Sequence, residues 1–305
     1  MLELDARLEA KNRAEFITPI KLREFIANKI KLDGHNNSCI LDPAIGSGQL
    51  LANVHDRATK IYGFDIVEKL KEPLTHNFKD KIEYQCKDFI TANFNNLVDI
   101  AVSNYPFSLK PTQEQIDYIL QDNFLSQFYD KKVTGVLDFI FILKSFALAQ
   151  HGYYLCFPSI GYRQTEAKFR KYIIDNNYLE EYGIISNCKF EHTTISILFI
   201  KLSKHKTNKQ VKAFNLDLPN NKYIDTTIDQ FDDAYTFTSP NFEIKKELVN
   251  IVELEIQARE SFKRKIIKEI NFSKTVYNLD SALCVLPTPN EFINELINIL
   301  NDLAF

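Results

Sequence analysis

Apolar residues along the first two hundred positions switch repeatedly between two spacings. Residues 18–30 put Leu22, Phe25, Ile26 and Ile30 on one face, the spacing of a helix. Thr18 and Pro19 ahead of them offer a capping residue and a proline at the first helical position. Short apolar runs then predict strands at 38–42, 60–65, 82–86 and 98–103. Helices are expected from about Gln49 and, weakly, over 68–79. Residues 137–150 predict a strongly apolar helix, 152–157 a strand and 164–176 a helix. Residues 182–186 and 194–202 read as two strands joined by a loop, hence antiparallel. Strand–helix–strand units in series imply an α/β fold with a mostly parallel sheet, helices on both faces and an antiparallel edge.

After residue 204 the pattern changes. Residues 204–212 are basic and polar, and 213–240 mix short apolar runs with Asn, Asp and Pro. Long apolar stripes return over 242–270 and 290–303, both expected as helices. The chain therefore divides into a domain over 1–203 and a small, mainly helical extension over 204–305, suited to contact with a partner or with DNA.

Composition narrows the class. Hydrophobic residues are 45% and charged residues 25% of the chain, as in an ordinary globular protein. No apolar run reaches membrane-spanning length, and the acidic start is unlike a secretory signal. Five cysteines stand singly with no CxxC, so neither a zinc site nor a disulfide framework is indicated, which fits a reducing cytoplasm. The net charge of -3 argues against a chain that grips DNA phosphates unaided.

Two motifs carry chemistry. In Asp42-Pro43-Ala44-Ile45-Gly46-Ser47-Gly48 a strand runs into a turn that holds two of the chain's eight glycines. Small residues there let backbone approach a ligand. Asp42 would repel a pyrophosphate and suits a cationic ligand. Asp65 ends the next strand, where an acid meets ribose hydroxyls in nucleotide-binding folds. The second motif is Asn104-Tyr105-Pro106-Phe107, at the end of a strand. The Asn104 side-chain oxygen and the Tyr105 carbonyl can accept both hydrogens of a planar amine. Phe107 can stack on the base that carries it.

The order and spacing of these segments, over about residues 14–203, resemble the N6-adenine DNA methyltransferases. Within them the likeness is to modification subunits of type I restriction–modification systems. The stretches 137–148, 151–158, 169–171 and 193–201 add to that likeness. The resemblance implies an S-adenosyl-L-methionine (AdoMet)-dependent, Rossmann-like methyltransferase domain. It implies that Asp42, Ala44, Gly46, Ser47 and Gly48 hold the methionine part of the cofactor, with Phe16, Thr18 and Pro19 closing over it. Asp65 and Ile66 would meet ribose, Asp88 and Phe89 would border adenine, and Asn104, Tyr105, Pro106 and Phe107 would be catalytic. The implied substrate is double-stranded DNA with its adenine flipped out. The implied partner is a separate specificity subunit, or a second copy of the chain. Where the family has two consecutive prolines, this chain has Tyr105 then Pro106, which loses stiffness and adds bulk near the pocket. Two alternatives stand beside this reading: methylation of a protein glutamine or an RNA base, and a degenerate methyltransferase-fold scaffold. Basic groups at 201–212 and 263–268 are candidates for phosphate contact, the first expected near the substrate side.

Overall fold

The computed structural model describes residues 17–129, 132–190 and 193–240. The chain divides into two units, Met1–Phe242 and Glu243–Phe305, and every described residue belongs to the first. Phe16, the helices expected over 242–270 and 290–303, and the basic group at 263–268 lie outside the described residues.

The first unit runs α1 (Ile20–Leu32), β1 (Ser38–Asp42), β2 (Ala58–Asp65), α2 (Lys71–Phe78), β3 (Ile82–Cys86) and β4 (Val98–Ser103). It continues with α3 (Gln113–Gln121), α4 (Asp138–Leu148), β5 (Ala149–Cys156), α5 (Ala167–Asp175), β6 (Leu179–Lys189) and β7 (Thr194–Ser203). Two further strands, β8 (Val211–Asp217) and β9 (Lys222–Ile228), close it. All nine strands form one sheet in the order β3-β2-β1-β4-β5-β7-β6-β8-β9. From β3 to β5 every pairing is parallel. β7 lies antiparallel between β5 and β6, and β9 antiparallel at the outer edge.

Sequence explains most of this directly. Ile40, Leu41, Ile100, Ala101 and Val102 are fully buried, as central parallel strands covered on both faces require. Helix α1 buries Leu22, Ile26 and Ile30, one residue per turn. Helix α4 buries Phe139 through Leu143 without a break, because it is apolar all round.

Three features depart from the expected pattern. No α-helix follows the glycine turn: Leu51–Asn53 and His55–Arg57 are short 3-10 turns, since Gly48 is left-handed and little chain remains before β2. Helix α3 was not legible as an apolar stripe, because only Ile119 is buried, yet Thr112 and Gln115 cap it reciprocally. β8 and β9 extend the sheet beyond residue 203, with Val211, Ala213, Phe214 and Leu216 of β8 buried.

Arg170 on α5 is fully buried and joins two distant loops. It donates to the carbonyls of Ile160 and Arg163 after β5, and to those of Ala234 and Tyr235 near the end of the described chain. Phe237 stacks on Tyr182 at 4.5 Å and donates its N–H to the Gly161 carbonyl. Arg170→Ala strands four carbonyls, so unfolding in urea is expected to show a loss of about 3 kcal/mol. An unchanged midpoint would rule the clamp out.

Candidate active site

A cavity of about 540 Å³ opens at the carboxyl ends of β1, β2 and β4. The sheet order reverses between β1 and β4, and ligands of open α/β sheets bind at such a switch point. Each expected motif arrives there on its own strand end. Asp42 ends β1 and Ala44, Gly46 and Ser47 follow it, all lining the cavity. Asp65 ends β2 with Ile66 next, Asp88 and Phe89 follow β3, and Asn104 and Pro106 follow β4, all in the same wall. Thr18 reaches it from ahead of α1.

Gly46 and Gly48 take φ of 52° and 76°, a conformation that side chains resist. They serve differently. A Cβ on Gly46 would meet nothing, so that backbone borders open space. A Cβ on Gly48 would come within 2.5 Å of the Phe78 ring, so that glycine lets α2 pack and does not line the cavity. The Gly46 N–H donates to Asp65 Oδ2 at 3.0 Å, and Val67 N–H to Asp65 Oδ1 at 3.1 Å, which ties the first turn to the second.

Asp42 is 1% exposed and accepts from Ala44 N–H at 3.1 Å and Ser103 Oγ at 3.2 Å. Burial pushes its pKa up to about 7 against those two hydrogen bonds, with Asp65 adding to the rise. Asp88 Oδ1 accepts from Ile90 N–H at 2.9 Å and Oδ2 from Gln115 Nε2 at 2.8 Å. Lys144 fastens that turn from α4, donating to the carbonyls of Ile90 and Ala92. Burial draws the Lys144 pKa down to about 8.

Asn104 is the centre of the arrangement. Its Nδ2 donates to Thr18 Oγ1 at 2.9 Å, across 86 residues. Its Oδ1 is buried and accepts no hydrogen bond from the described residues. Thr18 thus binds the amide rather than capping α1, and Pro19 stands at the cap position without a side-chain bond. The loop after Asn104 is pinned from below. Ser108, at φ 59°, donates its N–H to Asp138 Oδ1 at 2.9 Å, and Leu137 N–H meets the Leu109 carbonyl at 2.8 Å. Burial raises the Asp138 carboxyl to about 6.

Besides Gly48, three expected residues lie outside the cavity wall: Pro19, Tyr105 and Phe107. Tyr105 is 1% exposed and stacks on Phe141 at 5.4 Å and 5°. Its bulk therefore goes into the core and does not narrow the pocket. Phe107 is largely buried against Tyr105 and Phe157 and is not part of the cavity wall. Sequence reasoning missed Phe141, which lines the cavity between Tyr105 and Phe89, and it missed Gln115. The basic group at 201–212 is also not where it was expected. β7 runs backwards, so the chain leaves it at Ser203, which pairs with His151 near the start of β5, and residues 204–212 follow from there, away from the strand ends that carry the cavity. Lys201 binds Asp33 and Glu180, each at 2.8 Å, and Lys212 binds Asp225 at 2.8 Å.

Residues 1–235 match the family described as N-6 DNA Methylase. The chain belongs to that family. It is 23% identical over 311 residues to the type I restriction enzyme MpnII methylase subunit of Mycoplasma pneumoniae, covering 90% of this chain and 54% of the relative. It is 25% identical over 141 residues to the type II methyltransferase M.NspV of a Nostoc species, covering 41% and 29%. A solved type I restriction–modification methyltransferase subunit from Streptococcus thermophilus superposes with a TM-score of 0.59 at 18% identity, covering 66% of this chain and 47% of that one. The chain spans about half the length of the first and last of these. No helix among the described residues is long and apolar enough to cross a membrane.

In this N-6 DNA methylase family member the Tyr105 ring occupies the core beside Phe141. Tyr105→Pro, which restores the double proline, is expected to lower stability by about 3 kcal/mol, as loss of a buried aromatic does. Urea unfolding checks this. Equal stability would mean that the stack contributes nothing.

Proposed function

We propose that this chain transfers the methyl group of AdoMet to the N6 amine of adenine in double-stranded DNA. It would act as a modification subunit, or a related stand-alone methylase. Asn104 carries the reading: one end of its amide is held by Thr18, and the other is a buried acceptor left open beside the cavity. That is the group an amine with two N–H donors requires.

The cavity suits the cofactor in donor set and charge. Asp42 would face the α-ammonium group, Asp65 with Ile66 the ribose, and Asp88 with Phe89 the adenine. AdoMet, when bound, supplies an electrophilic methyl on a sulfonium centre. The remaining work belongs to this chain's residues. Asn104 Oδ1 and the Tyr105 carbonyl would accept the two hydrogens of N6 and turn its lone pair toward that methyl. Positioning then supplies much of the rate. No strong base is needed, because the amine becomes acidic once alkylated. Asp138 and the Tyr105–Phe141 stack would hold the loop still, and Phe107, packed against Tyr105 and Phe157, would brace it from the core rather than stack on the flipped base.

We assign catalysis to residues 1–203. Residues 204–305, which include β8 and β9, we assign to contact with a partner or DNA. A separate specificity subunit would choose the target and supply much of the phosphate contact that a net charge of -3 does not favour. The absence of a membrane-spanning helix among the described residues is compatible with work in the cytoplasm.

Labelled methyl transfer from AdoMet to unmethylated DNA tests the reading, with and without the specificity subunit. Label on adenine N6 is expected, and Asn104→Ala is expected to remove at least a hundredfold of the rate, on the order of one lost transition-state hydrogen bond. Label on RNA or protein but not on DNA would overturn it.

Asp42 supplies a second test. Its carboxyl, near pKa 7 in the free chain, must give up its proton as the ammonium arrives. The Kd for AdoMet is therefore expected to fall about tenfold between pH 6 and 7.5, with proton release in calorimetry. Asp42→Asn should bind weakly and without that dependence. A flat profile for the unaltered chain would remove Asp42 from the ammonium site.

A further inference from the structure

Gln115 uses both ends of one side-chain amide. Its Oε1 accepts from Thr112 N–H at 2.8 Å, half of the capping box that starts α3. Its Nε2 donates to Asp88 Oδ2 at 2.8 Å, across 27 residues, and Gln115 itself lines the cavity. The other Asp88 oxygen is held by its own loop through Ile90 N–H. The carboxylate is thus gripped at both oxygens by N–H donors, with its remaining lone pairs available beside the cavity.

We infer that Gln115 is a positioning residue that sets this site's preference for an amino-bearing purine in the cofactor. The inference rests on the AdoMet reading above. An acceptor fixed at Asp88 favours an exocyclic amine, which donates, over a carbonyl at the same ring position, which does not. A carbonyl there would set its own lone pairs against those of the carboxylate, with no hydrogen to share, so a site built to accept from the amine disfavours it. Gln115 keeps Asp88 oriented for that choice. It also joins the adenine side of the cavity to the loop that begins at Asn104, since α3 is the next element along the chain.

Helix α3 does not depend on Gln115 alone. Tyr118 lies one turn further on, and its hydroxyl accepts from Lys144 Nζ at 3.0 Å, while Ile119 is fully buried. Removing the Gln115 amide is therefore expected to free Asp88 without unfolding the helix.

The test is calorimetric binding of S-adenosylhomocysteine and of its inosine counterpart, whose purine carries a carbonyl in place of the amine. The variants are Gln115→Ala, Gln115→Glu and, as a control, Gln113→Ala. Among the described residues Gln113 pairs with Asp117 on the exposed side of α3. Gln115→Ala is expected to raise the Kd for the adenine compound about tenfold, the worth of one hydrogen bond to a charged group, and to leave the inosine compound nearly unchanged. The preference between the two ligands then shrinks. Gln115→Glu keeps the bulk but sets a carboxylate against Asp88, so its Kd is expected to rise further and to recover as the pH falls. Gln113→Ala should match the unaltered chain, with thermal melts reporting the fold of all three.

Unchanged preference in Gln115→Ala would overturn the inference. So would an equal loss for both ligands, which describes a wall and not a selector, or an equal loss in Gln113→Ala. Failure of the unaltered chain to bind the adenine compound would instead sink the cofactor reading, and this inference with it.

Discussion

The site hangs on the place where the sheet changes its direction of growth. β1 has β2 on one side and β4 on the other, so the segments leaving these strands part and leave a crevice between them. Asp42, Asp65 and Asn104 are separated widely in sequence, yet each stands at or just past the end of a parallel strand. Register does the rest. Asp42 lies beside Gly63 and Leu41 beside Ala101, so the ends of β1 and β4 are level and Ser103 can reach Asp42. A slip of two residues in either strand would carry one of these groups out of the cavity.

That geometry gathers the carboxylates of Asp42, Asp65 and Asp88 around one cavity, an arrangement that opposes folding on electrostatic grounds. The chain meets them with backbone N–H groups. Ala44, Gly46, Val67 and Ile90 donate backbone N–H to Asp42, Asp65 and Asp88. Such donors steady a carboxylate while leaving room for a cationic ligand, whereas a lysine would fill the place itself. Asp42 shows the limit of this device, because two hydrogen bonds do not offset full burial and its pKa rises to about 7.

Legibility followed range. β1, β3 and β4 were readable to the residue because a short run buried in a sheet is its own signal. The turn motifs were readable because glycine and aspartate have local reasons to be where they are. Helix α3 was not, since its stability comes from a cap and a few long-range contacts rather than from an apolar stripe. The role of Gln115 exists only once α3 meets the turn after β3. The basic group at 201–212 was misplaced for a related reason: charge can be counted along a chain, but the direction of β7 decides which end of the sheet receives it.

Tyr105 shows how one kind of stiffness can replace another. A proline restricts its own φ and so holds a loop locally. Tyr105 has no such restriction, but its ring lies parallel to Phe141, and Phe141 also stacks on Phe89 at 6.5 Å. The loop after Asn104 is therefore anchored to the same aromatic plate that backs the adenine side of the cavity. Two residues further on from Pro106, Ser108 is held in a left-handed conformation by Asp138. Holding such a backbone costs about 1 kcal/mol or more, and the surrounding packing has to supply it. A loop restrained by a core ring and a buried carboxylate is coupled to the packing of α4, as a loop restrained by a pyrrolidine is not. In this chain the rigidity of the amine-gripping segment is accordingly a property of tertiary structure, and changes in the core around Phe141 should be felt at Asn104.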